Sequence, residues 1–169
     1  MSLNHLKISR KQSGFTLLEV MIALVIFSVG LLGLASIQGE ALRSNNAAYM
    51  RTIAMQYTYN MADIIRTATD GDGVVVGTFD NVTSALGSVP TPCIVNDNTT
   101  NCSLSEMATF DIYTWKKHLA DELPSGRGTV TKSGNIYQIK VMWDENHTGT
   151  TGENCGASDL KCYNIYIET

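Results

Sequence analysis

The sequence predicts an α+β protein in which one long N-terminal helix packs on a small antiparallel β-sheet, with an extra helix in the head. Three observations predict it. No proline falls between Phe15 and Thr69, and apolar residues recur there at helical steps. A second helical period begins at Ser103 and ends at Pro124. The runs that follow it alternate apolar and polar residues with a period of two. A chain of 169 residues has room for one folded domain and an appendage.

The appendage comes first. Phe15 to Ile37 is a stretch of 23 residues whose only ionisable side chain is Glu19. As a helix it would be about 34 Å long, enough to cross a hydrocarbon core of about 30 Å. Lys7, Arg10 and Lys11 precede it with no acidic residue, which places the N-terminus in the cytoplasm and the rest outside. A secretory signal peptide has a shorter apolar run followed by a small-residue cleavage site. Here the run is longer, and the candidate cut precedes it.

Beyond the membrane segment, Met50, Ile53, Tyr57, Met61, Ile64, Ile65 and Ala68 form one stripe, with Arg51, Asp63, Arg66 and Asp70 between them. The two halves imply one helix of about 55 residues, roughly 80 Å long. Asp70-Gly71-Asp72-Gly73 ends it as a turn; a calcium loop would need further oxygen ligands at set spacings, and none follows. Val74 to Phe79 reads as a short β-like run.

Ser103-Leu104-Ser105-Glu106 has the form of a capping box. Ala108, Ile112, Trp115, Leu119 and Leu123 then share one face, with Trp115 as a buried anchor, until Pro124 and Gly126 stop the helix. Gly128 to Lys132 and Ile136 to Trp143 flank Ser133-Gly134-Asn135 as a β-hairpin. Tyr137, Ile139, Val141 and Trp143 face the core, and Gln138, Lys140 and Met142 alternate with them. A last strand runs from Cys162 to Glu168, alternating Tyr163, Ile165 and Ile167 with polar neighbours.

The residues after Gly14 hold 9 Lys and Arg against 16 Asp and Glu, a net charge of −7. That balance argues against nucleic acid or an anionic lipid surface as partner, although Lys116, Lys117, Arg127, Lys132 and Lys140 would make a basic patch if the fold gathered them. All four cysteines, Cys93, Cys102, Cys155 and Cys162, lie in the exported part, where disulfides form. Three pairings are open. Cys93–Cys102 and Cys155–Cys162 are preferred because each brackets a short turn-rich loop, and neither spacing suits zinc. A periplasmic enzyme would have to draw on His118 or His147, since His5 lies in the leader, and neither sits in a nucleophile motif. No catalytic residue, cofactor or metal is expected.

Glu19 remains to be explained. A carboxylate in hydrocarbon costs about 2.5–3.5 kcal/mol on insertion scales, and no Lys, Arg or His elsewhere in the span neutralises it. A cut after Gly14 would supply a cationic α-amino group at Phe15, about one helical turn away. The same amine on a neighbouring subunit would meet this carboxylate in a low-dielectric setting. The plainer reading is a glutamate that snorkels to the cytoplasmic face.

Lys11-Gln12-Ser13-Gly14-Phe15-Thr16-Leu17-Leu18-Glu19-Val20 resembles the class III signal peptides of type IV pilins and type II secretion pseudopilins. Val29-Gly30-Leu31-Leu32-Gly33-Leu34-Ala35 resembles the corresponding stretch of the PilV family of minor pilins. So does the later order of Cys102, Phe110-Asp111-Ile112-Tyr113-Thr114-Trp115, Leu123-Pro124, Gly126, Gly128, a hairpin and Val141-Met142-Trp143-Asp144-Glu145. The loops at 81–91 and 147–161 carry no such resemblance, and Ser36 stands where major pilins often have a proline.

The resemblance implies a type IV pilin-like fold and four segments: a cleaved leader at 1–14, a transmembrane and polymerisation half-helix at 15–37, its amphipathic continuation at 38–70 and a globular head at 71–169. It further implies that a prepilin peptidase cuts between Gly14 and Phe15 and N-methylates Phe15, and that Glu19 guides assembly. The expected partners are other minor pilins, the major pilin, an inner-membrane assembly platform and a tip adhesin. The subunit would sit in the bacterial inner membrane with its head in the periplasm, then on the pilus, serving twitching motility, adhesion or DNA uptake. A type II secretion pseudopilin is the nearest alternative; a signal-anchored periplasmic protein and a DNA-receptor pilin are the others.

Overall fold

The computed structural model describes residues 14–91, 102–156 and 160–169. The chain divides into two compact units at Ser44 and Asn45. Helix α1, Leu17–Thr67, contributes residues to both.

In the first unit the helix is exposed from Leu17 to Leu42, apolar up to Ile37 apart from Glu19 and two serines, and it is long and apolar enough to cross a membrane. Its backbone is satisfied internally, as hydrocarbon requires. Even the Ser28 hydroxyl donates back to the Leu24 carbonyl at 2.7 Å.

The second unit has an α+β layout. After α1 come a 3-10 turn at Gly77–Phe79, β1 (Asn81–Val82), helix α2 (Leu104–Glu122), β2 (Arg127–Ser133), β3 (Ile136–Trp143) and β4 (Lys161–Glu168). The strands form one antiparallel sheet in the order β1-β2-β3-β4. The core joins α1, α2 and the sheet.

The face that α1 buries is Met50, Ala54, Thr58, Met61, Ala62 and Ile65. The expected stripe is therefore rotated: Ile53, Tyr57, Ile64 and Ala68 pack at its flanks, half-buried. Small side chains, Ala54, Thr58 and Ala62, make up half of the buried face. Thr58 is wholly buried there, and its hydroxyl donates to the Ala54 carbonyl at 2.7 Å, which removes the cost of an unpaired polar group.

The run from Val74 to Phe79 is not a strand, contrary to its β-like composition. Asp70 Oδ1 accepts from the main-chain N–H groups of Asp72 and Val74 at 3.1 and 2.8 Å. That tether bends the chain into a turn, with Gly73 at φ 79°. Val75 makes only an isolated bridge to Thr69, and the backbone then coils through the 3-10 turn before β1 pairs with Thr131 and Val130.

Helix α2 opens with the capping box its sequence predicts. Ser103 Oγ accepts from Glu106 N at 3.3 Å, and Glu106 Oε2 accepts from Ser103 N at 2.9 Å. The Ser103 N–H bond first, and then the Ser103 hydroxyl, which also donates to Oε2 at 2.9 Å, hold the Glu106 carboxyl below its ordinary range. Ala108, Ile112, Trp115, Leu119 and the cap residue Leu123 are buried. Two glycines then bring β2 back against the helix: a Cβ at Gly126 would overlap the Leu119 carbonyl, and one at Gly128 would overlap the Trp115 ring.

The β2–β3 hairpin turns at Gly134, φ 62°, and Asn135, with Ser133 opposite Ile136. Tyr137, Ile139, Val141 and Trp143 are buried in the core as expected. Met142 is buried too, although it belongs to the other face and stands outside the main core, as does Leu160. The chain beyond β3 buries this second face locally. Cys155 bridges Leu160 and is bonded to Cys162, which lies opposite Met142. Asp144 fastens the start of that loop. Its N–H donates to the Pro124 carbonyl, and its carboxylate accepts from Thr148 Oγ1 at 3.2 Å and Gly149 N at 2.7 Å.

Candidate functional site

Gly14, Phe15 and Thr16 precede the first helical turn. Thr16 caps it. Its carbonyl accepts from Glu19 N at 3.1 Å and Val20 N at 3.3 Å, and its hydroxyl accepts from Glu19 N at 3.3 Å. Thr16-Leu17-Leu18-Glu19 thus has the form of a second capping box, a signal the apolar context hides. Only half of it is made. The bond uses the main-chain N–H of residue 19, which nearly any residue would provide, and the Glu19 carboxylate makes no hydrogen bond or ion pair among the described residues. An acid in the first turn also suits the positive end of the helix, but that effect is worth only about 0.3–1 kcal/mol, less than the cost of placing it in hydrocarbon.

Phe15, Glu19, Val20, Ala23, Leu24 and Phe27 line one open groove of about 570 Å³. Among the described residues the carboxylate is the only ionisable side chain in this otherwise apolar lining, and Phe15 is 83% exposed. At Gly14 a Cβ would meet no atom within 4 Å, and the same is true at Gly30 and Gly33. The folded chain therefore gives no reason for a glycine at these positions. In the two helical positions each glycine costs about 1 kcal/mol relative to alanine.

In the second unit Cys155 and Cys162 form a disulfide, with Cα atoms 5.6 Å apart. Cys102 is also disulfide-bonded. Cys93, and with it the Cys93–Cys102 pairing preferred from the sequence, lies outside the described residues, as does His5.

Among the described residues, neither the His118 nor the His147 ring makes a hydrogen bond to a nucleophile. His118 is exposed on α2, its ring 5.9 Å from that of Tyr57, and His147 sits at φ 53° in the loop after β3. Among the described residues no cluster of His, Cys, Asp and Glu could hold a metal.

The five cations proposed from sequence as a basic patch are mostly engaged. Lys117 pairs with Asp121 at 2.7 Å, and Lys132 with Asp80 at 3.3 Å. Lys132 and Arg127 lie toward opposite ends of β2, about 17 Å apart at the usual rise per residue. Lys116 is only 8% exposed, and its Nζ donates to the Ala85 carbonyl at 2.8 Å. Burial pulls its ammonium below the ordinary lysine range. Sequence periodicity misses this, because position 116 adjoins Trp115 at the margin of the apolar face.

Over residues 9–35 the sequence matches the prokaryotic N-terminal methylation motif. No curated protein and no solved structure matches the chain. The motif, which spans Gly14, Phe15, Glu19 and the first apolar turns of α1, supports a protein of the type IV pilin kind, a group of structural subunits and not enzymes.

Proposed function

We propose that the chain is a minor pilin of the PilV kind, a subunit of the priming or tip complex of a type IV pilus. The observation that carries this reading is Glu19, a carboxylate with no partner among the described residues, in an apolar groove, one turn after Phe15 and within the matched motif. Prepilin peptidase would cut between Gly14 and Phe15 and methylate the new amine. On a neighbouring subunit that amine would answer the Glu19 charge and fix the register of packed helices. Gly30 and Gly33, whose missing side chains nothing in the single chain explains, would permit close contact between such helices. The apolar half of α1 would anchor the subunit in the inner membrane, with its head in the periplasm, until it passes to the filament beside the major and other minor pilins.

The mass of the native protein and the identity of its first residue test this. A chain starting at N-methylated Phe15 is expected, and Glu19→Val should block incorporation into pili. Retention of the leader in piliated cells, or normal incorporation of the variant, would overturn the reading.

A type II secretion pseudopilin is the second reading, supported by the confinement of the match to residues 9–35, the segment such proteins share with pilins. Deleting the gene should abolish surface pili or twitching in the first case and exoprotein export in the second.

A further inference from the structure

A cavity of about 400 Å³ opens between three parts of the head. Ser84 and Ala85 line it from the segment after β1, Lys116 and Ala120 from α2, and Gly126 and Arg127 from the start of β2. Two cationic residues belong to its lining, and among the described residues no carboxylate does. Of the three N–H groups on the Lys116 ammonium, the Ala85 carbonyl takes one. Neither Lys116 nor Arg127 has an acidic partner within 4 Å among the described residues.

Burying an ammonium with one neutral acceptor is costly, since the full stabilisation of a desolvated charge needs a counter-charge and its remaining hydrogen bonds. Tethering the Ala85 carbonyl alone would need only a neutral donor. One carboxylate of this chain lies near enough to interact with Arg127: Glu153 is held below its ordinary range, first by hydrogen bonding from Ser84 and then by Lys140 and Arg127. Glu153 itself is exposed and outside the lining.

We propose that this cavity is a carboxylate-binding site, in which an incoming carboxylate seats between the Lys116 ammonium and the Arg127 guanidinium. The guanidinium offers a planar pair of donors to the two oxygens, and the ammonium a point charge. A volume of about 400 Å³ falls in the range of small-molecule pockets. The carboxylate could arrive on a free organic acid or on an acidic side chain of another polypeptide, and both present the same group.

Titrating the full-length protein in neutral detergent with succinate, at constant ionic strength, tests the site; binding is read by calorimetry and by side-chain NMR of Lys116 and Arg127. The neutral isostere succinamide and a blocked Glu-Glu dipeptide serve as parallel probes. Saturable binding of succinate or the dipeptide, silence with succinamide, and weakening of about tenfold in Arg127→Gln are expected, with a further loss in Lys116→Met. Succinate binding alone would identify a free acid as the natural source, and dipeptide binding alone a protein side chain. No saturable response to either acid, a response to succinamide equal to that of succinate, or undiminished binding by a folded Arg127→Gln protein would overturn the proposal, whether or not Lys116→Met folds.

Discussion

The indole Nε1 of Trp115 donates to the main-chain oxygen of Tyr57 at 2.9 Å, joining α2 to α1 across 58 residues of sequence. Trp115 is among the largest fully buried side chains, and its ring fills the space left open by Gly128. One residue thus couples both helices to the sheet. Trp115→Phe keeps most of the ring and loses the donor. It should cost about 1–2 kcal/mol and lower the Tm by roughly 3–5 °C in thermal unfolding of the full-length protein, while leaving N-terminal processing unchanged.

Gly128→Ala tests the other side of that contact. The added methyl would overlap the indole ring, so either the ring or β2 must move. Overpacking of this kind costs about 1–3 kcal/mol. The urea midpoint should fall accordingly, and an unchanged midpoint would mean that the close approach is not maintained in solution.

The Cys155–Cys162 bridge closes a loop across seven positions of sequence. By the loop-closure relation its loss should cost about 2.5 kcal/mol. Replacing both cysteines with serine should lower stability by that order. It should also expose Leu160 and Met142 to hydrogen exchange in their surroundings before the main core opens, because both lie outside that core.

Asp144 gives a pH dependence with a defined sign. Burial raises its pKa, but the hydrogen bonds from Thr148, Gly149 and Asn146 outweigh burial and hold it below the ordinary aspartate value. A folded-state pKa below the unfolded one contributes stability that is present above the ordinary value and is lost as pH falls through the depressed one. Asp144→Asn should therefore unfold at a lower Tm at neutral pH and show a shallower decline of Tm on acidification. An identical acid slope in both proteins would refute the assignment.

Much of this architecture was legible in the chain because local rules and tertiary packing agree. The Ser103 capping box, the face from Ala108 to Leu123 and the hairpin around Gly134 all follow from short-range chemistry, and the structure has each. The departures come where packing overrides composition. Ala54, Thr58 and Ala62 stand on the buried face of α1, whereas apolarity alone singles out the larger Ile53, Tyr57 and Ile64, which lie at its flanks. The Val74–Phe79 run has strand composition but is bent by the Asp70 carboxylate. Lys116 is buried although lysine is a surface residue by habit, and only the folded position of Ala85 reveals its acceptor. At the N-terminus, glycine, phenylalanine and glutamate were readable as a motif, while the Thr16 cap was visible only in the hydrogen bonds.

The sheet stops at β4, eight residues whose outer side has no neighbouring strand among the described residues. A bare margin of that length is adhesive toward any extended polypeptide. Here Lys161 begins it, Asn164 interrupts it and Glu168 closes it, so an intruding chain meets charge at either extremity and an amide between. Two copies meeting along this margin would then be hindered from zipping into a continuous sheet.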